Sequence, residues 1–272
     1  MRYSIFPISV AGLLAAVMLV APAAHASGDK VPGLESAEIL PGWVTPEGTR
    51  MIAIDLRLEP GWKTYWRSPG DAGMAPVFDW NGSDNLDTAI PVWPAPEVIV
   101  SGGMRSMGFH DRLVLPVEIT PAQADQPVSA RLSMDFGMCR DLCVPAHLDL
   151  EVPPAEDGPD PVIEAALARA PADAEGAAEC HVTPAEDGLQ LSVRVAEAGT
   201  PAQPDAAIEI IDPEGQAPAW VSDARLESAG GNLTASADVV PDAEGYVFDP
   251  AMLRLTLIGK TGAVEFRGCT PA

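Results

Sequence analysis

The sequence is poor in positive charge, in aromatic side chains and in cysteine. Its 272 residues include 16 Lys and Arg against 39 Asp and Glu, which gives a formal net charge of -23. Phosphate backbones and anionic lipid surfaces repel such a chain, so nucleic-acid binding and membrane-surface binding are not expected. Four cysteines are too few for a small disulfide-scaffold protein. An apolar content of 47% nevertheless supports a folded core and excludes a disordered protein.

Long apolar runs are missing except near the N-terminus. Arg2 is the only charge in residues 1–26, an apolar run covers about residues 8–20, and Ala24-His25-Ala26 has the small-x-small pattern of a cleavage site. This pattern predicts a signal peptide over residues 1–26. No later run approaches the roughly 20 residues of a membrane span, so the mature protein is expected to be exported and not embedded in a membrane.

Most of the remaining chain alternates apolar and polar residues with the period of two that is typical of half-buried strands. In the first half this pattern covers residues 52–58, 113–119, 128–136 and 148–152. In the second half it covers residues 189–195, 207–211, 224–228, 233–239, 253–258 and 263–266. Short strands joined by segments rich in Pro and Gly predict an all-β fold with a β-sandwich.

The alternation stops over residues 153–179, which are rich in Ala, Pro, Asp and Glu. Residues 161–170 can form a short helix with Pro161 in its first turn. We therefore predict a first β domain over residues 27–152, a linker with one helical piece over residues 153–179, and a second small β domain over residues 180–272.

Two of the four cysteines lie close together as Cys139-x-x-x-Cys143. We expect one strand to end at Phe136 and the next to begin near Leu148, which places both cysteines in a connection at one end of the sandwich. A four-residue separation can bring two Cα atoms within disulfide range. A disulfide this local closes a very small loop and gains little from chain entropy, so the pair is a candidate for thiol–disulfide exchange.

Two other interpretations of this pair remain open. The pair can form a purely structural disulfide. Alternatively, Cys139, Cys143 and His147 have a spacing that can supply soft ligands for Cu(I). Nearby Met and His residues add to that second pattern; they are Met104, Met107, His110, Met134 and Met138.

The other two cysteines, Cys180 and Cys269, flank the second β domain. A disulfide between them would close a long loop and stabilise the fold substantially, so we expect a structural disulfide. Redox exchange, or metal binding through Cys180 and His181, remains the alternative.

Several motifs of the first half resemble the periplasmic N-terminal domain of the DsbD/ScsB thiol:disulfide interchange proteins. They are Gly61-Trp62-Lys63-Thr64-Tyr65-Trp66-Arg67-Ser68-Pro69-Gly70-Asp71-Ala72-Gly73, Trp93-Pro94-Ala95-Pro96, Gly108-Phe109-His110-Asp111-Arg112-Leu113-Val114-Leu115-Pro116 and Cys139-x-x-x-Cys143-Val144-Pro145. The resemblance covers residues 42–152 with the motifs in the family's order. Residues 153–272 resemble the second β region of ScsB-like members more weakly.

The resemblance implies an immunoglobulin-like sandwich in which Cys139 and Cys143 are the redox pair. Positions around that pair in the family match Tyr65, Trp66, Phe109 and His110. The family domain takes electrons from a thioredoxin-like domain that a membrane transporter feeds, and it passes them to oxidised periplasmic proteins. The resemblance therefore implies periplasmic localisation, those classes of partner and no bound cofactor.

The sequence departs from the family in two respects. Full-length members add a multi-pass membrane domain and a C-terminal thioredoxin-like domain, which these 272 residues do not include, so we expect electrons to come from a separate donor. Family members often shield the cysteine pair with an aromatic on a cap loop, whereas the matching residues 96–107 have none. Aliphatic and sulfur-containing side chains are expected to take that role; they are Ile99, Val100, Met104 and Met107.

The sequence therefore predicts a protein that relays electrons through Cys139 and Cys143, as a component of protein-disulfide reduction. The alternatives are a copper-binding module that uses the same sulfurs, and a non-catalytic sandwich that docks other proteins.

Overall fold

A computed structural model describes residues 31–212 and 217–272, so the predicted signal peptide at residues 1–26 lies outside the described residues. The first half contains ten strands. They are β1 (Leu34–Val44), β2 (Arg50–Leu58), β3 (Lys63–Tyr65), β4 (Val77–Asp79), β5 (Leu86–Pro91), β6 (Glu97–Ser101), β7 (Met104–His110), β8 (Arg112–Pro121), β9 (Arg131–Cys139) and β10 (Cys143–Glu151).

These strands form two sheets that pack on one apolar core. One sheet has the order β1-β2-β8-β5, and the other has the order β10-β9-β3-β7-β6 with β4 paired to β9. Alternate side chains of β9 enter the core, as the period of two predicts; Leu132, Met134 and Phe136 are buried there. The prediction of an all-β, immunoglobulin-like sandwich is confirmed. We call this part the N-terminal sandwich.

The prediction that β2 has one face in water is wrong. Ala53 and Asp55, on the face predicted to be polar, are both buried. Ala53 packs against Ile163 from the segment that follows the sandwich. Asp55 is 1% exposed, and the Arg112 guanidinium stabilises its carboxylate there by donating two hydrogen bonds, at 2.7 and 2.6 Å. A buried carboxylate needs such a partner, and the alternation of the strand alone does not reveal it.

The predicted short helix is present as α1 (Pro161–Leu167). Asp160 caps its N-terminus by accepting hydrogen bonds from the backbone N–H groups of Val162 and Ile163, and the proline stands in the first turn. Ile163 anchors the helix on the outer face of β2. The short strand β11 (Ala172–Asp173) follows and pairs in parallel with a strand of the second half. The linker thus contacts the rest of the protein through α1 and β11, while most of its residues are exposed.

The second half contains nine more strands. They are β12 (Glu179–Ala185), β13 (Gly188–Ala196), β14 (Asp205–Ile210), β15 (Ala219–Val221), β16 (Arg225–Ala229), β17 (Asn232–Pro241), β18 (Leu253–Ile258), β19 (Ala263–Arg267) and β20 (Thr270–Pro271). One sheet has the order β11-β19-β18-β14, and the other has the order β15-β17-β13-β12-β20 with β16 paired to β17. These sheets enclose a second apolar core. We call this part the C-terminal sandwich.

The two sandwiches are in direct contact, and Val31–Ala272 forms one compact unit. Ala207, Ile258 and Ala263 of the C-terminal sandwich join the apolar core of the N-terminal one. The division into domains at residues 27–152 and 180–272 remains a prediction.

Candidate functional site

The Cys139–Cys143 disulfide closes the hairpin of β9 and β10. The two cysteines are directly opposite each other in the antiparallel register, with Cα atoms 4.1 Å apart. Three residues, Arg140 to Leu142, form the turn. The prediction that β9 ends at Phe136 is wrong, because the strand continues through Gly137 to Cys139. The cysteines therefore stand on paired strand ends, which hold them more rigidly than a loop would.

The two cysteines differ sharply in exposure. Cys139 is 1% exposed, whereas Cys143 is an exposed residue. The neighbouring Leu142 is 79% exposed and places an apolar side chain beside the pair. A partner thiolate can therefore approach Cys143 without any rearrangement of the hairpin, while Cys139 is covered.

The side chain of Tyr65 contacts both sulfurs. Its hydroxyl oxygen lies 2.8 Å from Cys139 Sγ and 3.1 Å from Cys143 Sγ. Disulfide sulfurs carry no hydrogen, so the tyrosine hydroxyl is the donor in either contact, and the two sulfurs share its single hydrogen. Burial raises the pKa of Tyr65, which keeps this hydroxyl protonated and able to donate.

Strand β3 places Tyr65 at the disulfide. This strand lies between β9 and β7, with Lys63 opposite Cys139 and Thr64 opposite Met138. The buried hydroxyl of Thr64 donates to the carbonyl oxygen of Gly137 at 3.0 Å and fastens the two strands together. The three residues of the short strand β3 thus fix the position of the tyrosine relative to the sulfurs.

Two glycines and a methionine surround the Tyr65 ring, and sequence analysis missed them. A Cβ atom at Gly137 would lie 2.8 Å from Cδ2 of the ring and 3.0 Å from Cβ of Met74. A Cβ atom at Gly73 would lie 3.0 Å from Cδ1. Both glycines therefore leave room for the ring. The signal that could have found Gly137 is its position inside a strand, where a glycine often marks the close approach of another group.

Two cationic side chains lie near the pair. The ammonium of Lys63 lies 5.7 Å from the centroid of the Tyr65 ring and donates to Ser106 Oγ at 3.0 Å. Burial lowers the pKa of Lys63. In the turn, Arg140 lies 5.3 Å from the centroid of the Trp62 ring. Positive charge near a cysteine favours its thiolate, the form that attacks or leaves in exchange.

The other three predicted site-surrounding residues make contacts of their own, and His110 on β7 is opposite Lys63, which is itself opposite Cys139. Trp66 is buried in the core, under the guanidinium of Arg67 at 4.4 Å from the ring centroid. Phe109 is also in the core and stacks on Trp93 at 6.3 Å. His110 bonds to Glu97 through its Nδ1 at 2.9 Å. Within the predicted set, Tyr65 is thus the residue whose polar atom bonds to the sulfurs.

The side chains predicted to shield the pair have other positions. Val100 and Met104 are 70% and 62% exposed, at the end of the β6–β7 hairpin, and Met107 is buried in the core. Ile99 is half-buried on β6. Tyr65 lies over Cys139 instead, and the segment after β3 lies over Tyr65.

The copper pattern does not form a ligand cluster. His147 lies four residues beyond Cys143 on β10, and an extended strand separates such residues by about 13 Å. His147 instead bonds to Asp135 at 2.8 Å, which is the main cause of its raised pKa. Met134 and Met138 belong to the core. Among residues 31–212 and 217–272, no group of three or more His, Cys, Asp or Glu is placed to hold a metal ion.

The second cysteine pair forms the Cys180–Cys269 disulfide, with Cα atoms 5.7 Å apart. It connects β12 to the segment between β19 and β20, across a sequence separation of 89 residues. Cys180 is buried in the C-terminal core.

The part of the chain that carries the Cys139–Cys143 site is similar to a known protein family. Residues 35–153 match the family described as "Thiol:disulfide interchange protein DsbD, N-terminal". Over these residues the chain is similar to that family, and the resemblance to the DsbD/ScsB N-terminal domain predicted over residues 42–152 is confirmed.

The same fold occurs in a solved structure. The N-terminal periplasmic domain of ScsB from Proteus mirabilis is 22% identical with a TM-score of 0.57, and the match covers 87% of this chain and 99% of that one. A second structure contains manganese lipoxygenase of Gaeumannomyces graminis and part of zonadhesin of Komagataella pastoris. It is 8% identical, covers 87% of this chain and 93% of that one, and its TM-score of 0.19 supports no conclusion. No curated protein sequence matches the chain.

Proposed function

We propose that this protein is a periplasmic thiol–disulfide exchange protein that carries two electrons at a time through Cys139 and Cys143. The observation that carries the proposal is the asymmetry of the pair: an exposed cysteine is bonded to a buried one beneath a tyrosine hydroxyl. An attacking thiolate needs one accessible sulfur and a leaving sulfur whose negative charge is stabilised. Cys143 supplies the first and Cys139 the second.

Reduction of the pair proceeds in two exchanges. A partner thiolate attacks Cys143 Sγ, a bond forms between the two sulfurs, and the Cys139–Cys143 bond breaks. Cys139 leaves with the electron pair as a thiolate, which accepts a hydrogen bond from Tyr65. The partner's second thiolate then attacks the partner's sulfur in the mixed disulfide, and Cys143 leaves as a thiolate. The partner ends as a disulfide, this chain ends as a dithiol, and the protons of the partner's thiols go to the two cysteines.

The reverse sequence reduces an oxidised protein. The dithiol attacks a disulfide of the substrate, and the Cys139–Cys143 bond forms again. We infer that the electron donor is a thioredoxin-like protein or a membrane thiol–disulfide carrier, and that oxidised periplasmic proteins are the acceptors. Because the formal net charge is -23, partners with basic patches around their own cysteines would associate fastest. Within the described part of the chain, no helix has the length and apolar character of a membrane span.

A redox titration tests this function. The mature protein is equilibrated in thiol–disulfide buffers, its free thiols are alkylated, and the labelled peptides are identified by mass. We expect Cys139–Cys143 to titrate between about -120 and -270 mV, the range of known exchange proteins, while Cys180–Cys269 stays oxidised. If both pairs stay oxidised below roughly -300 mV, the first pair is structural and the protein is a docking module.

A matched pair of variants tests the assignment of the two sulfurs. In Cys139→Ser the remaining Cys143 thiol is exposed, so we expect it to form a stable mixed disulfide with a dithiol partner such as a thioredoxin. In Cys143→Ser the remaining thiol is buried, and its reaction should be on the order of tenfold slower, because a local opening must precede it. Equal trapping in the two variants would contradict the assignment.

A further inference from the structure

The segment between β3 and β4 covers the Tyr65 ring. Within it, residues 69–74 form what we call the Tyr65 loop, closed by a hydrogen bond from the Gly73 N–H to the Gly70 carbonyl at 3.1 Å. The Ala72 carbonyl lies 3.4 Å from the Tyr65 hydroxyl, and the backbone of Gly73 lies against one edge of the ring. The tyrosine is buried because this loop lies over it.

The Tyr65 loop is attached to the C-terminal sandwich. The carboxylate of Asp71 accepts a hydrogen bond from the backbone N–H of Asp223 at 2.9 Å. A Cβ atom at Gly70 would lie 2.5 Å from Asp223 Oδ1, so the backbone of the loop meets the second sandwich directly. Asp223 follows β15, some 150 residues further along the chain. The loop is thus in contact with a part of the protein that holds neither of the exchanging cysteines, in addition to the hydrogen bond that the Pro69 carbonyl accepts from the Met107 N–H at 2.9 Å.

Two arginines strengthen the same contact. Arg105 on β7 pairs with Asp205 at 3.0 Å and Asp223 at 3.5 Å, and it donates to the Ala224 carbonyl at 3.2 Å. Arg67, two residues before the loop, pairs with the buried carboxylates of Glu209 and Glu265. Strand β7 and the chain just after Tyr65 are thus fixed to the C-terminal sandwich by charged groups.

We propose that the C-terminal sandwich positions the catalytic hydroxyl: through Asp71 and Asp223 it holds the Tyr65 loop, which in turn holds Tyr65 on the two sulfurs. This inference rests on the proposed function, since it concerns the rate at which the pair exchanges. Asp71 is then a positioning residue that acts through Tyr65. If the Tyr65 loop only connected β3 and β4, loss of the hydrogen bond between Asp71 and Asp223 would leave the exchange rate of the cysteine pair unchanged.

The test compares four proteins for the rate at which dithiothreitol reduces Cys139–Cys143. Asp71→Ala removes the acceptor for the Asp223 N–H, whereas Asp71→Asn keeps an oxygen acceptor there. Asp87→Ala, at an exposed aspartate on β5, is the matched control. We expect Asp71→Ala to be reduced about fivefold more slowly than the wild type, the factor expected for one lost hydrogen bond of ordinary strength. Asp71→Asn and Asp87→Ala should keep nearly the wild-type rate.

A double-mutant cycle decides whether Asp71 acts through the tyrosine. Tyr65→Phe removes the hydroxyl, so adding Asp71→Ala to it should have no further effect on the rate. Hydrogen exchange should show faster exchange in the loop of Asp71→Ala, including the Gly73 amide, with a thermal midpoint lowered by only about 2–4 °C, the shift expected for one lost hydrogen bond. An unchanged rate in Asp71→Ala, or the same loss in both backgrounds, would overturn the proposal.

The outcome also separates this inference from the proposed function. If the wild-type pair titrates in the exchange range but Asp71→Ala behaves as the control does, only the positioning role is wrong. If dithiothreitol does not reduce the wild-type pair, the exchange function fails and the positioning role fails with it.

Discussion

The two disulfides of this protein have opposite designs. Cys139–Cys143 joins two directly opposed residues of one hairpin, has an exposed cysteine and accepts hydrogen bonds from a tyrosine. Cys180–Cys269 joins residues 89 apart, and its first cysteine is buried in the C-terminal core. A cross-link that closes a long loop restricts the unfolded chain strongly, and one that closes a short loop restricts it little. From this comparison we propose that the first bond opens in the folded protein at small cost, while the second maintains the fold.

The largest expected effect is the loss of the long-range disulfide. Cys180→Ala with Cys269→Ala should lower the free energy of unfolding by about 4.5 kcal/mol, from the loop-entropy relation for 89 residues. Cys139→Ala with Cys143→Ala should lower it by about 2 kcal/mol or less. Urea unfolding of the two double variants measures both. Equal losses would remove the distinction between the two bonds.

The next effect tests whether the two sandwiches stabilise each other. Arg67→Met should lower the free energy of unfolding by about 3 kcal/mol, because it leaves two buried carboxylates, Glu209 and Glu265, without their shared partner. The exposed pair of Arg194 and Glu179 offers the control, and Arg194→Met should lower the free energy of unfolding far less. Urea unfolding measures both variants. A similar small loss in the two would mean that the contact between sandwiches contributes little.

The same network predicts a dependence on pH. Burial by itself would raise the pKa of Glu265, but the charges of Arg67, Arg267 and Arg254 outweigh it and hold the pKa below its ordinary value of 4.5. A lowered pKa stabilises the fold above the unfolded-state value, and this stabilisation is lost as the pH falls through the folded-state value. Arg67→Met should therefore unfold at a higher pH than the wild type in an acid titration followed by circular dichroism. An unchanged acid midpoint would contradict this.

The smallest expected effect on stability comes from replacing one glycine by alanine in each sandwich. Gly137→Ala places a Cβ atom 2.8 Å from the Tyr65 ring, so it should lower the free energy of unfolding by about 1–2 kcal/mol and slow exchange by displacing the hydroxyl. Gly262→Ala, in the turn before β19, meets no atom within 4 Å and should change stability by less than about 0.5 kcal/mol. Thermal unfolding and the dithiothreitol rate measure both. If Gly137→Ala leaves the rate unchanged, the ring position does not control exchange.

Much of the fold could be predicted from local patterns. The strands β8, β13, β17, β18 and β19 have nearly the bounds that their alternation predicts, and α1 begins at the proline that indicated it. The errors occur where distant groups change a local rule. Ala53 and Asp55 are buried because a helix and an arginine from later in the chain cover them. β9 continues past Phe136 because its last three residues pair with β10 and the last two also pair with β3.

The candidate site could be predicted only in part. The spacing of Cys139 and Cys143 showed that a local disulfide was feasible, and the resemblance pointed to Tyr65. Neither showed that only Cys143 is exposed, or that the tyrosine donates to both sulfurs. Nothing in the local sequence around Asp71 indicated its bond to Asp223, which joins positions 152 residues apart.

The sequence by itself determined the acidic surface, the order of the strands and the pairing of two cysteines on one hairpin, because charge, alternation and close spacing act over a few residues. Only the tertiary structure decided which sulfur meets solvent, which hydroxyl meets the sulfurs and which part of the chain holds the loop above them. Those contacts join residues 74 to 152 positions apart. The contact of Tyr65 with Cys139 forms when β3 and β9 pair in one sheet, and that of Asp71 with Asp223 forms only when the two halves are packed together.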